Sequence, residues 1–340
     1  MSITGLLPSS LGFGTAPLGN MFRYIPDWEA AQTIQAAWDH GIRYFDTAPL
    51  YGAGLAEIRL GRVLSDHPRE EFVISTKVGR MVSNELRGEH VPDRGAEHKD
   101  HLFADGLPYR VVDDYSASAA ERSIEDSLER LGTDYLDIAW VHDVGQDYHG
   151  DTWLEKYEIA RTGAFRTLTR LRDEGVIRAW GVAVNRVEPL EITLSLDEPQ
   201  PDALLLAGRY TLLDHATALQ RLLPQAQAQG VDIVVGGPYS SGALVGGATF
   251  EYQQTPPEIA FKVARIAAVA EHHSISVKSA ALQFVLAHPA VAAVIPGASR
   301  PARIAEDVAA AVEVVPPAFW DELRDEGLIS PHAPVPVWTA

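Results

Sequence analysis

GFGTAPLGN (12–20) closes the first apolar run of the chain and decides between two folds. Apolar runs alternate with amphipathic ones, the rhythm of strand and helix in α/β proteins. The apolar runs are Leu11–Ala16, Arg43–Thr47, Phe72–Val78, Leu136–His142, Val176–Val184, Ala203–Ala207, Val231–Gly236 and Val291–Gly297, eight in all. Most are rich in Val, Ile, Leu and Ala without clean alternation, as expected of parallel strands buried on both faces. A doubly wound sheet that binds a dinucleotide opens with G-x-G-x-x-G running into a helix. GFGTAPLGN does not give that pattern. The expectation is therefore an α/β fold, a single (β/α)8 barrel spanning residues 1–340, with its chemistry at the C-terminal ends of the strands.

The helical runs support the barrel. Asp27 is placed to cap a helix with Ala30, Ile34, Ala37 and Trp38 on one face and Gly41 at its end. In SAAERSIEDSLERLG (118–132), Ser118 and Glu121 read as a capping box, Ile124, Leu128 and Leu131 as the stripe, and Gly132 as the stop. Ala164, Leu168 and Leu171 repeat the spacing before Gly175. Leu219, Leu222 and Ala226 do so before Gly230, with a restart expected near Pro224. Further helices are expected over 257–273, 278–288 and 301–311. One connection is anomalous: residues 79–115 carry many charges and histidines and little periodicity. A loop this long reads as a lid over the barrel mouth.

Composition limits the function. Of the 340 residues 46% are hydrophobic, enough for a large core, yet no apolar run is long enough to span a bilayer. The start, MSITGLLPSS, lacks the charged head and apolar centre of a signal peptide, so a cytoplasmic location is expected. There is no cysteine, which excludes disulfides, thiolate metal sites and a thiol nucleophile. The net charge of −18 disfavours nucleic acid and anionic membranes as partners. The expected partner is a small molecule, with the protein a monomer or a small homo-oligomer.

Four polar residues stand at the expected strand ends. Asp46 ends the second run and Tyr51 lies in its loop, Lys77 lies in the third, and His142 ends the fourth. Singly, Asp46 reads as a turn residue, Tyr51 as a core aromatic and His142 as a buried, satisfied histidine. Lys77 is harder to dismiss, because an ammonium in an apolar strand is costly unless paired. Asp46, on the neighbouring strand, is its natural partner. Together the four form a chemical unit. A tyrosine, with a pKa of about 10, is a poor base at neutral pH; a nearby lysine lowers that value, a carboxylate positions the lysine, and a histidine orients the substrate oxygen. Such an assembly moves a proton at a carbonyl or alcohol oxygen and needs a separate hydride partner.

Asp46, Tyr51, Lys77 and His142 resemble the catalytic tetrad of the aldo-keto reductases, which are (β/α)8 barrels using a nicotinamide cofactor. The resemblance extends from GFGTAPLG to VIPGASRPARIAED. It implies that Tyr51 is the general acid/base, Lys77 tunes it, Asp46 supports Lys77 and His142 orients the substrate. GGPYSSGAL (236–244) is similar to the family's pyrophosphate segment, with Tyr239 on the nicotinamide and Ser240, Gly242 and Leu244 along the phosphates. IPGASRPARIAED (295–307) resembles the adenosine end, implying roles for Pro296, Gly297, Ala298, Ser299, Arg303, Glu306 and Asp307. Thr15 and Asn185 are implied at the nicotinamide.

Some positions depart from the family pattern. Gly297 stands where a lysine often contacts a 2′-phosphate, and Asp307 where an asparagine is usual. Both favour NAD, with NADP as the alternative. Ala183 and Val184 replace a Ser-Asn pair at the carboxamide, with Asn185 as its substitute, and Ala207 replaces a glutamine.

LLLAGRYTLLDH (204–215) and VHDVGQDYHG (141–150) resemble the branch of aldose 1-dehydrogenases (L-fucose or D-threo-aldose type) and pyridoxal 4-dehydrogenase. The implied reaction oxidises a cyclic hemiacetal, an aldose first, to a lactone. Pyridoxal oxidation and NADPH-dependent aldehyde reduction are the alternatives. Trp28, Arg209 and Tyr210 are candidates for the substrate pocket. No metal is expected, although His142, Asp143 and His149 could be read as ligands.

Overall fold

The computed structural model describes residues 2–87, 102–103 and 105–337. The chain runs β1 (Phe13–Gly14), α1 (Asp27–Asp39), β2 (Tyr44–Asp46), α2 (Leu55–Leu64), β3 (Val73–Val78), β4 (Arg80–Leu86), β5 (Tyr109–Asp113), α3 (Ala117–Leu131), β6 (Leu136–His142), α4 (Gln146–His149), α5 (Trp153–Thr162), α6 (Ala164–Asp173) and β7 (Ile177–Val184). It continues through α7 (Val187–Leu194), β8 (Ala203–Ala207), α8 (Ala216–Gln220), α9 (Leu222–Gln229), β9 (Asp232–Gly236), β10 (Thr249–Phe250), β11 (Gln253–Gln254), α10 (Pro257–His272), α11 (Val277–Leu286), β12 (Val291–Ile295), α12 (Pro301–Val312) and α13 (Pro317–Asp325).

Eight parallel strands pair in the order β1-β2-β3-β6-β7-β8-β9-β12. Parallel bridges Leu11–Val294 and Gly14–Gly297 join the last strand to the first, so the sheet closes as the expected barrel. Each strand serves two cores. Tyr44, Ile138, Trp140, Leu205, Val234 and Ile295 fill the interior, while Phe45, Val141, Trp180, Leu206 and Val235 pack outward under the helices. Burial on both faces is why the strands show no polar alternation. Gly181 makes room inside: a Cβ there would lie 1.8 Å from the Ala203 carbonyl oxygen and 2.9 Å from the Trp140 ring.

Several local expectations are corrected. The cap of α3 is Ser116, whose hydroxyl accepts from the Ala119 N–H at 3.3 Å; Ser118 lies inside the helix and Glu121 pairs with Arg170. Asp27 is the first residue of α1 and caps nothing; its carboxylate turns to Arg59 on α2 at 2.7 Å. The segment 79–115 is not a plain loop, because its flanks form the antiparallel ribbon β4–β5. Residues 88–101 and 104, the middle of the expected lid, lie outside the described residues. The break between α8 and α9 falls at Arg221, close to the expected restart.

Candidate active site

The strand ends bring the four polar residues to one cleft. Asp46 closes β2, Lys77 is the penultimate residue of β3, and His142 closes β6. Tyr51 returns over the mouth on the turn after β2. There Gly19 and Gly52 let two loops touch: a Cβ on Gly19 would lie 2.5 Å from the Tyr51 carbonyl carbon. Lys77 Nζ donates to Asp46 Oδ2 at 2.6 Å and to the Thr47 carbonyl at 2.8 Å. Asp46 Oδ1 accepts from Ser75 Oγ at 2.6 Å. Lys77 Nζ stands 4.8 Å from the centroid of the Tyr51 ring, and the His142 ring meets that ring edge-on at 6.0 Å.

The electrostatics differ from the expectation at Tyr51. Burial first, and then the Asp46 carboxylate, push its phenol well above the usual tyrosine range. The lysine charge is met by Asp46 at 2.6 Å. Tyr51 is thus a protonated phenol at neutral pH. Burial, helped by the Lys77 and Arg80 charges, holds His142 well below the usual histidine range. His142 is a neutral imidazole whose buried Nδ1 has no hydrogen-bond partner. Its Nε2 lies 3.4 Å from Asp143 Oδ2.

The walls of the cleft include Asp143 and residues not singled out in the sequence: Arg80, Phe103, Tyr148 and Tyr252. Arg80 pairs with Asp143 at 3.0 Å and Asp113 at 3.1 Å, and its guanidinium lies over the Tyr148 ring at 4.6 Å. Asp143 has φ +55, a conformation L-residues adopt rarely and mostly at functional positions. Arg80 was within reach of sequence reading, since it lies just past the end of β3, and Asp143, read there as a possible metal ligand, pairs with it. Tyr252 gives no such signal, lying between the short strands β10 and β11.

Other expected residues divide. Asn185 lines the cleft, and its side chain donates to Asp147 at 3.3 Å. Thr15 is fully buried, with Oγ1 donating to the Asp46 carbonyl at 2.9 Å. Trp28, Arg209 and Tyr210 are not among the cleft-lining residues. Trp28 is 63% exposed on α1. Arg209 braces the rim by pairing with Asp214 and Glu251 and donating to the Asn185 carbonyl. Tyr210 is buried behind the barrel against Phe284 and His288. Tyr239 does not face the cleft either; its hydroxyl donates to Asp307 Oδ1 at 2.8 Å. Asp307 is itself buried and also pairs with Lys278 at 2.8 Å. His142, Asp143 and His149 do not converge, because Asp143 faces Arg80 and His149 Nε2 lies 2.9 Å from Tyr115 Oη.

The chemistry of the β9 and β12 ends fits a dinucleotide. Ser240, Ser241 and Gly242 have φ of 50, 58 and 98, turning the backbone sharply after β9. Leu244 is buried beneath that turn, and Ser240 Oγ is tied to Thr211 Oγ1 at 3.1 Å. Pro296 and Ala298 are buried, Gly297 is open, and the Ser299 carbonyl accepts from Arg23 at 2.8 Å. Arg303 is exposed on α12, in reach of an anionic group at the N-terminus of that helix, while Glu306, also exposed, pairs with Lys278 at 2.8 Å.

Comparison with known proteins agrees with this geometry. Residues 10–325 match the model of the Aldo/keto reductase family. The chain is 39% identical over 333 residues to a pyridoxal 4-dehydrogenase of Microbacterium luteolum, covering 96% of each protein. It is 36% identical over 330 residues to a D-threo-aldose 1-dehydrogenase of a Pseudomonas species, again covering 96% of each. Its fold is similar to that of an aldo-keto reductase from Bacillus halodurans in holo form, with a TM-score of 0.68 at 26% identity, covering 94% of this chain and 92% of the other. No helix among the described residues is long and apolar enough to cross a membrane. The chain belongs to the aldo/keto reductase family.

Proposed function

From this family membership we propose that the protein is a nicotinamide-dependent dehydrogenase of cyclic hemiacetals, oxidising an aldose at its anomeric carbon to the lactone. The observation that carries the reading is the meeting of Tyr51, the Lys77–Asp46 pair and a neutral His142 at one cleft. A cyclic hemiacetal bears its reacting hydroxyl on the carbon that loses hydride. Tyr51, as the phenolate formed when its own proton leaves to solvent, takes the hydroxyl proton, the C–H bond electrons leave as hydride, and the C–O bond becomes the lactone carbonyl. A nicotinamide, when bound, supplies the hydride acceptor. His142, a neutral imidazole on the cleft wall, orients the substrate oxygen and does not compete as an acid. Lys77, fixed by Asp46 and the Thr47 carbonyl, keeps a positive charge beside the Tyr51 ring and so favours the phenolate that accepts the substrate proton.

NAD is the proposed cofactor. Gly297 offers no cation for a 2′-phosphate, and Glu306 adds an exposed carboxylate nearby. Asn185, the Ser240–Gly242 turn and Arg303 would hold the dinucleotide.

A second reading, oxidation of the pyridoxal hemiacetal, is favoured by the cleft wall. Phe103 stacks on Tyr51 at 5.7 Å, and Tyr148 and Tyr252 stand with Met21, Leu50 and Leu102 around the same space. That surface suits a flat aromatic ring. The deciding experiment is a screen of L-fucose, D-arabinose and pyridoxal with NAD and with NADP, followed at the absorbance of the reduced cofactor. Lactone formation with NAD is expected. Turnover confined to NADPH and open-chain aldehydes would overturn the proposal. In Tyr51→Phe, turnover should fall by about 10²–10⁴-fold, the usual worth of a positioned acid/base, with cofactor binding retained.

A further inference from the structure

On the outer helices, α10 ends in His272 followed by His273, and both imidazoles turn to one carboxylate on α13. His272 Nδ1 lies 3.0 Å and His273 Nε2 2.8 Å from Glu322 Oε2. One ligand atom from each of the three residues lies within 4.8 Å of the other two. The cluster is built into a helix seam. The His273 ring packs edge-on against Phe319 at 5.9 Å, which fixes its direction. Arg265, further back along α10, pairs with Glu326, the residue that follows α13, at 3.0 Å, so the two helices are already held in register.

We propose that His272, His273 and Glu322 bind a divalent transition cation of the zinc type, with water completing the shell, and that the ion clasps α13 to α10. Two imidazoles and one carboxylate are the donor set of open zinc sites, and imidazole selects zinc over magnesium or calcium. Zinc bonds of about 2.0–2.1 Å in a tetrahedron place ligand atoms about 3.3 Å apart. Glu322 Oε2 and its two partners would need to separate by only a few tenths of an ångström. The hydrogen bonds from His273 and His272 hold Glu322 below the usual carboxylate range, so the anionic ligand is present at neutral pH. The C-terminal end of α10 also favours positive charge. His272 is 70% exposed, which leaves a path for the ion.

The test is calorimetric titration of tag-free protein with zinc chloride at pH 7.5, with melting temperature as a second readout. One equivalent should bind and raise the melting temperature, and magnesium chloride should do neither. Cobalt(II) should give the intense visible absorption of a four-coordinate site. Glu322→Gln and His272→Ala lie at the exposed side of the seam, and each should weaken zinc binding at least tenfold. Their metal-free melting curves will show that the fold is kept. Absence of saturable zinc binding, or binding unchanged in the Glu322→Gln, His272→Ala double variant, would overturn the proposal.

Discussion

Lys77 and Asp46 are each only 2% exposed, and neither could hold its charge there alone. Removing one partner of a buried pair costs about 3–5 kcal/mol, because the other is left uncompensated. Lys77→Met should therefore destabilise the protein by about that amount, and adding Asp46→Asn should restore part of the loss. Urea unfolding of the two variants measures both. The raised phenol at Tyr51 makes a second prediction at this scale. Hydride removal from a hemiacetal needs the phenolate, whose fraction grows tenfold per pH unit below its pKa. The oxidation rate should climb through the alkaline range, while carbonyl reduction, which uses the protonated phenol, should stay flat because that form remains dominant. Initial rates in both directions from pH 7 to 10 check the sign; an oxidation rate independent of pH would remove Tyr51 as the base. Asp46, Lys77 and His142 were legible because each interrupts an apolar run near its end. Tyr239 and Tyr210 show what the sequence leaves open. The sequence locates their elements but not the direction of their rings, which Asp307 and Phe284 settle.

At the scale of elements, the strands were legible and the helices less so. A strand buried on both faces is apolar throughout, and Leu136–His142 and Ala203–Ala207 match their expected limits. Helix α2 escaped notice because its inner face carries charges. Glu57 is fully buried against Thr76 and Arg130, and Arg59 reaches the Leu18 and Ile25 carbonyls. A stripe made partly of paired ions has no hydrophobic period. The start of α3 shows the limit of reading caps. Ser116 and Ser118 both precede apolar positions, and only the backbone conformation separates them. Ser116 has φ −65 and ψ 162, outside the helix, with its hydroxyl turned to the Ala119 N–H. Ser116→Ala should cost about 1 kcal/mol, the usual worth of an N-cap, and Ser118→Ala less than about 0.5 kcal/mol. Equal effects of the two in thermal unfolding would contradict the observed cap.

Across the whole molecule, the fold stores several histidines in their neutral form. Burial lowers His142, His215 and His288 below the ordinary histidine value of 6.5. Two of them also need a lone pair: His215 Nε2 accepts the Ser330 N–H at 3.0 Å, and His288 Nδ1 accepts the Ala290 N–H at 3.1 Å. His215 in addition ties the C-terminal segment to the turn after β9, since its Nδ1 meets the Thr211 carbonyl at 2.8 Å and Thr211 Oγ1 meets Ser240 Oγ. The folded-state values are depressed, so below about pH 6.5 the unfolded chain binds protons that the folded chain refuses. Stability then falls as pH falls, by up to about 1.4 kcal/mol per pH unit for each histidine. The window opens near pH 6.5, above the range in which the surface carboxylates titrate. Urea unfolding at pH 7.5, 6.0 and 5.0 should show a steady loss. His288→Asn, which retains an acceptor and cannot titrate, should flatten that dependence by one histidine's share. A stability unchanged between pH 7.5 and 5.0 would mean that these histidines accept protons in the folded state, and the Ser330–His215 link would then have to break while the barrel stays closed.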